Sequence, residues 1–176
     1  MVGETAAEKA YTAALQEIEK VRAEGKKVLD LSGEAFADLD RIPPEVAGIA
    51  GLVKLTMNGT KISDLSPLRG LTTLNILLLD RTAVSDLSPL RDLIALHTLW
   101  LDKTDVSDLS PLRDLTALND LTLTNTKVSQ LNALRGLTGL TRLWLSWTKV
   151  SNIDALRGMT ELDTLTLDGT KVSDLR

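Results

Sequence analysis

Few side chains in this sequence are of a type and spacing that could do chemistry. The chain of 176 residues contains one histidine, His97, and no cysteine. Without cysteine, neither a disulfide framework, a thiolate zinc site nor a cysteine nucleophile can form. Catalysis by His97 would need a nucleophile and an orienting acid beside it, whereas the residues 22 positions to either side are Asn75 and Asn119. The sequence therefore predicts no catalytic residue, no cofactor and no enzyme.

A pair of carboxylates could hold a cation through oxygen ligands. Asp80 and Asp102 are 22 residues apart, and in the repeat described below they fall on neighbouring strands about 4.8 Å apart. Each is followed by a basic residue, Arg81 or Lys103, whose charge can offset the repulsion between the carboxylates. We favour this pairing over a bound cation, so no metal is expected.

Arginine recurs at the same spacing and could form a phosphate-binding stripe. The five residues are Arg69, Arg91, Arg113, Arg135 and Arg157. Aspartates of the same units can pair with them and cancel their field, namely Asp64, Asp86, Asp108, Asp92 and Asp114. We therefore expect a solvated ladder of ion pairs rather than a phosphate site.

The composition disfavours two classes of partner. A formal net charge of −4 and a pI near 5.0 give no general attraction to nucleic acid or anionic lipid. The N-terminal segment lacks the layout of a secretory signal, and no apolar run approaches the roughly 18 residues that span a bilayer. We expect no nucleic acid and no membrane insertion, and the compartment stays open between the cytoplasm and export as an effector.

A repeat of 22 residues organises the chain from residue 52 onward. Numbered from its first leucine, each complete unit has apolar residues at positions 1, 4, 6, 11, 14, 17 and 20. Positions 4 and 6 alternate with mostly polar residues at positions 3, 5 and 7, which is the pattern of a strand with one buried face. The leucines that begin the units are Leu52, Leu74, Leu96, Leu118, Leu140 and Leu162.

A short turn is predicted later in each unit. Position 15 carries residues that cap helices well, and position 16 carries proline or alanine. The residues at position 15 are Ser66, Ser88, Ser110, Asn132 and Asp154. The fold class is therefore an α/β leucine-rich-repeat solenoid, with parallel β-strands on the concave face and short 3₁₀ or helical turns on the convex face.

The motif T-x-V-S-D-L-S-P-L-R-x-L resembles the 22-residue repeats of bacterial internalin-type proteins, over residues 52 to 176. The resemblance implies a bacterial protein that binds protein ligands on its concave face, and the uncapped last coil described below suggests that the chain is part of a larger protein. The family usually has asparagine at position 9, bonding backbone groups between coils, whereas every unit here has threonine. We expect a ladder of hydroxyl groups to replace it.

The two ends of the solenoid differ. Thr5 and Glu8 form a capping box, after which an apolar stripe predicts an N-terminal capping helix within residues 1–25. The stripe is Ala7, Tyr11, Ala14, Leu15, Ile18 and Val21. Residues 26–51 are a degenerate first repeat, with Leu29 and Leu31 at positions 4 and 6. Residues 52–176 hold five complete units and a partial one, whose apolar residues, Leu175 included, lack a cap.

The outward strand positions show where a partner would bind. Two tryptophans occupy position 5 and one occupies position 8, where the repeat imposes no core residue. Tryptophan and arginine dominate interface energies, so they are the predicted hot spot, with a polar rim around them. The partner-binding prediction comprises Trp100, Trp144, Trp147, Arg142, Asp102, Lys103, Asp120, Leu78 and Thr122.

Two function classes remain open. In the first, the chain is a protein-binding recognition module. In the second, it is a structural module that self-associates end to end through its C-terminal coil.

Overall fold

A computed structural model describes residues 3–173. These residues form one α-helix, α1, and seven strands of a single parallel sheet in chain order. The helix spans Ala6–Ala23, and the strands are β1 Val28–Asp30, β2 Lys54–Thr56, β3 Ile76–Leu78, β4 Thr98–Trp100, β5 Asp120–Thr122, β6 Arg142–Trp144 and β7 Thr164–Thr166. The leucine-rich-repeat solenoid is thereby confirmed.

Strand register follows the repeat. Leu55 pairs with Leu77, and Leu99 pairs with Leu121, so equivalent residues of successive coils lie side by side. The position 4 leucines from Leu29 to Leu143 are fully buried and form one continuous hydrophobic core along the solenoid. Each coil buries its apolar face only against its neighbours, which is the stabilising principle of a repeat array.

The convex turns are 3₁₀-helical, as predicted, but their capping group is different. In the repeats they begin at position 15, as in Ser66–Leu68, Ser88–Leu90 and Ser110–Leu112. The side chain at position 13, rather than position 15, accepts the first amide: Asp64 Oδ1 accepts from Ser66 N at 2.8 Å. Asp86, Asp108 and Asn152 repeat this bond. Hydrogen bonds from Ser88 hold the pKa of Asp86 below its ordinary value.

Helix α1 closes the first coil. Its capping box is confirmed, since Thr5 Oγ1 accepts from Glu8 N and Glu8 Oε2 accepts from Thr5 N. The buried stripe is Ala10, Ala14, Ile18 and Val21, so Ala10 rather than the predicted Ala7 faces the core. The helix packs against β1, the 3₁₀ turn Glu34–Phe36 that follows this strand, and the convex turn Pro44–Gly48. It lacks the apolar run that a bilayer-crossing helix needs, as does every helix among residues 3–173.

The threonines of position 9 do not form the ladder between coils that we expected. Each donates its hydroxyl to the position 6 carbonyl of its own coil, as Thr104 does to Leu101 O at 2.7 Å. Position 7 links four successive coils instead, because Asn58 Oδ1 accepts from Asp80 N, Asp80 Oδ1 accepts from Asp102 N and Asp102 Oδ1 accepts from Thr124 N, each at 2.8 Å. The position 9 hydroxyl is thus used within its own coil, whereas the side chain at position 7 bonds to the backbone of the next coil.

Position 8 has a left-handed backbone in every repeat. Glycine or asparagine meets this requirement at Gly59, Asn125 and Gly169, but Arg81, Lys103 and Trp147 also adopt φ values of 57°, 57° and 61°. A left-handed conformation costs an ordinary residue about 1–2 kcal/mol. The repeat pattern did not reveal this requirement, although the glycines at both ends of the column were a signal for it.

Replacing Arg81 and Lys103 by glycine is therefore expected to stabilise the fold. Both side chains are exposed, and neither forms an ion pair with any described residue. Relief of backbone strain, less the greater chain entropy of glycine, gives a gain of about 0.5–1 kcal/mol per site. Urea denaturation measures it. Arg113→Gly, at a residue with negative φ, is the matched control and should destabilise.

The last described coil is less buried than the others. Leu162, Leu165, Leu167 and Val172 pack only partly against the core, whereas their equivalents in earlier coils are fully buried. Leu175, which we also assigned to this apolar surface, lies outside the described residues. Self-association through this coil stays a prediction.

Candidate binding face

Five side chains of three neighbouring strands meet on the concave face, and we call them the tryptophan cluster: Trp100, Asp120, Thr122, Arg142 and Trp144. The register places Trp100 beside Thr122 and Thr122 beside Trp144. It also places Asp120 beside Arg142. The two tryptophans therefore flank Thr122 at a backbone separation of two strand spacings, about 10 Å.

Asp120 and Arg142 form an ion pair that the sequence analysis did not predict. Arg142 Nε and Nη2 both donate to Asp120 Oδ2, at 3.0 and 2.6 Å. Asp120 is only 4% exposed, so this carboxylate is a buried part of the cluster and not the polar rim that we expected. Opposite charges at one repeat position on adjacent strands were the available signal.

Buried polar atoms without a hydrogen-bond partner are concentrated on this face. Among side chains of the described residues there are three: Trp100 Nε1, Asp120 Oδ1 and Thr166 Oγ1. All three belong to positions 3 or 5 of strands β4, β5 and β7, which surround Trp144. Such atoms are rare because each costs about 1–3 kcal/mol of desolvation. A ligand that hydrogen-bonds to them would recover that cost.

The three tryptophan side chains differ in solvent exposure. Trp100 and Trp144 are half-buried, whereas Trp147 is 65% exposed. Trp147 lies in the loop after β6, at the edge of the concave face, and its indole covers Gly169 so closely that a Cβ there would lie 2.5 Å from Cε3. The positive φ of Trp147 is shared by position 8 of the other repeats and therefore reflects the backbone path of the coil.

Other predicted binding residues take structural or separate positions. Leu78 and Thr122 are 9% and 7% exposed, and Thr122 Oγ1 accepts a hydrogen bond from Leu101 N at 3.2 Å. Asp102 bonds to the next coil, and Lys103 is exposed in the left-handed position beside it. These two line a cavity of about 690 Å³ with Asp80, Arg81 and Glu34, and none of its lining residues belongs to the tryptophan cluster.

The charge compensation that we predicted beside Asp80 and Asp102 does not take the form of ion pairs. Neither carboxylate makes an ion pair with Arg81 or Lys103, since their Oδ1 atoms accept backbone amides instead. Partial burial raises the pKa of Asp80, with a smaller contribution in the same direction from the charge of Asp102. The described residues contain no group of three or more acidic or histidine side chains arranged to hold a metal ion.

The arginine column is not the ladder of ion pairs that we expected. Arg157 pairs with Asp154 at 2.9 Å. Arg69, Arg91, Arg113 and Arg135 form no ion pair with the described part of the chain. The aspartates at position 13 are engaged instead in capping the convex turns.

His97 takes part in a hydrogen-bond network at the start of its strand. Its Nδ1 lies 2.8 Å from Asn75 Nδ2 and 2.7 Å from the carbonyl oxygen of Ala95. Neither partner is a nucleophile or an acid. The ring is therefore held by an amide and a carbonyl, which is a structural arrangement.

Comparisons with known proteins identify solved structures of similar fold. No protein-family model matches the chain, and no curated protein matches its sequence. An internalin, inlF, of Listeria monocytogenes strain 4b F2365 superimposes with a TM-score of 0.68 and 26% identity over 96% of this chain and 57% of its own. Internalin C2 of the same strain gives a TM-score of 0.69 and 22% identity over 93% of this chain and 86% of its own.

A leucine-rich-repeat protein of Leptospira interrogans is a third structural neighbour, with a TM-score of 0.72 and 22% identity over 77% of this chain and 36% of its own. The chain thus spans just over half the length of the inlF structure and about a third of the Leptospira structure. The resemblance to internalin-type repeats is confirmed. Solenoids of this kind use their extended concave surfaces for interaction.

Proposed function

We propose that this chain, which has the fold of the internalin-type leucine-rich-repeat proteins, binds a protein ligand across its concave face. The tryptophan cluster forms the centre of the contact, and Trp147 extends it along the edge. The chain serves as the recognition module of a larger protein.

One observation carries the proposal: the buried polar side-chain atoms that lack partners in the described residues all lie on the concave face, around two half-exposed indoles. Hot spots of protein interfaces combine tryptophan and arginine in a desolvated centre. Arg142 contributes such a group, since its side chain is 51% exposed while its guanidinium is fixed by Asp120.

Charge supports a protein partner over a polyanion. The formal net charge is −4, and the cluster itself holds one acid and one base. Affinity must therefore come from apolar burial and directed hydrogen bonds, as in protein interfaces, rather than from the counterion release that drives nucleic-acid binding.

The experiment compares partner capture by the wild-type chain with capture by Trp100→Ala and Trp144→Ala. Each change is expected to weaken binding of a captured protein about tenfold or more, because the indole is the main apolar contact. Calorimetry measures the dissociation constant, and circular dichroism checks that each variant stays folded. Ile94, 64% exposed and away from the strands, is the matched control. If Ile94→Ala weakens binding as much as the tryptophan changes do, or if neither tryptophan change weakens it, the proposal is wrong.

The alternative, end-to-end self-association, has the partial exposure of Leu165 and Leu167 in its favour. It predicts a dimer that persists on dilution and that Leu165→Asp dissolves. Light scattering at several concentrations tests it, and a monomer throughout counts against it.

A further inference from the structure

The polar atoms of the tryptophan cluster have unused hydrogen-bonding capacity of two kinds. Trp100 Nε1–H is a donor, and Asp120 Oδ1 is an acceptor, and both are buried without a partner among the described residues. Asp120 uses only its other oxygen, since both nitrogens of Arg142 bind Oδ2. A ligand group that completes this face must therefore offer one acceptor and one donor.

The two atoms belong to different strands. Trp100 is in register with Thr122, two residues beyond Asp120 on β5. Residues in this diagonal relation lie about 7–8 Å apart at the backbone. A group whose donor and acceptor are separate atoms bridges such a diagonal better than a single hydroxyl oxygen does.

The side chains that line the cluster restrict the shape of the ligand group. Trp100 and Trp144 flank Thr122, and their backbone separation of about 10 Å leaves room for one flat group once the thickness of the indoles is subtracted. Arg142 binds only Oδ2 of Asp120 from the next strand, so a ligand can reach Oδ1 through a small side-chain adjustment that keeps this ion pair.

We propose that the slot between Trp100 and Trp144 receives a carboxamide side chain, glutamine or asparagine, from the protein ligand. The carboxamide oxygen accepts from Trp100 Nε1, and its NH₂ donates to Asp120 Oδ1. This assignment rests on the proposed function, because it names the group that the concave face recognises.

Other side chains satisfy fewer of these atoms. An aliphatic side chain leaves both unpaired, and an ammonium group satisfies the acceptor but leaves the indole N–H without a partner. A carboxylate accepts from the indole but is repelled by Asp120. The site is selective because a ligand that leaves these buried polar atoms unpaired binds more weakly.

The probes are capped tripeptides, acetyl-Gly-X-Gly-dimethylamide, in which X is glutamine, norleucine, glutamate, lysine or serine, so that only the glutamine peptide carries a primary carboxamide. Two-dimensional ¹⁵N–¹H spectra resolve the indole N–H of each of the three tryptophans in the full chain. The glutamine peptide is expected to shift the Trp100 signal saturably, with an affinity about five- to tenfold above that of the norleucine peptide. The indole N–H of Trp147, which lies outside the slot, shows whether the peptide also contacts the edge of the concave face.

The matched variant is Trp100→Phe, which removes the donor and keeps the aromatic wall. It is expected to abolish the preference for glutamine over norleucine, followed through the Trp144 signal. Equal affinities of the wild-type chain for the two peptides overturn the proposal, as does a preference for lysine, glutamate or serine, or the absence of any saturable shift.

Failure here is distinguishable from failure of the proposed function. A captured protein whose binding depends on Trp100 and Trp144, in a chain without carboxamide preference, overturns only the ligand assignment. A captured protein that is indifferent to both tryptophans overturns the two together.

Discussion

Leu121→Ala is expected to lower the free energy of unfolding by about 3–5 kcal/mol. The side chain is fully buried, and in the sheet it pairs with Leu99 on one side and Leu143 on the other. Truncation loses the transfer free energy of the leucine and leaves a cavity between two rigid coils that cannot collapse. Urea denaturation followed by circular dichroism measures the loss.

Leu165→Ala is the matched control, because it is the same change at the equivalent position of the last described coil. Leu165 is only partly buried and has a neighbouring strand on one side. Its loss is expected to be about 1–2 kcal/mol. If Leu121→Ala and Leu165→Ala lower the free energy of unfolding equally, the cost does not depend on having a packed coil on both sides, and this prediction is wrong.

Arg142→Met is expected to cost about 3 kcal/mol of stability, although Arg142 lies largely at the surface. The change removes both hydrogen bonds to Asp120 and leaves a carboxylate that is 4% exposed without its counter-charge. An uncompensated buried charge is more costly than the pair is stabilising.

The double variant Asp120→Leu with Arg142→Met provides the decisive comparison. Replacing a buried ion pair by apolar side chains of similar size is often neutral, so this variant should recover most of the stability lost in Arg142→Met. Chemical denaturation of the wild type, both single variants and the double variant completes the cycle. Losses that simply add would mean that the two side chains are energetically independent.

The fold was predictable because every 22-residue unit repeats the same pattern of buried apolar positions. Seven apolar columns at 22-residue spacing determine strand position, register and buried face, and the structure has each as expected. The capping box of α1 was equally predictable, because Thr5 and Glu8 are close in sequence and hydrogen-bond to each other.

The hydrogen-bond and ion-pair partners of polar side chains were predicted less well, because each such side chain has several possible partners within reach. Asp86 was assigned to an arginine, but the amide of Ser88 is nearer and takes it. For Asp102 we expected only that the charge of Lys103 offsets repulsion, whereas its carboxylate also accepts from Thr124 N of the next coil. The left-handed φ of Trp147 likewise follows from the backbone path at the end of each strand and not from its own residue type.

The sequence by itself determined the architecture, the placement of two tryptophans on one face, and the absence of cysteine chemistry. These properties depend on periodicity and composition, which are local or repeated along the chain. Only the tertiary structure decided that Asp120 is buried under Arg142 and that the unpartnered polar atoms collect around Trp144. Such contacts join residues of different coils, and burial depends on which neighbouring side chains cover an atom in three dimensions.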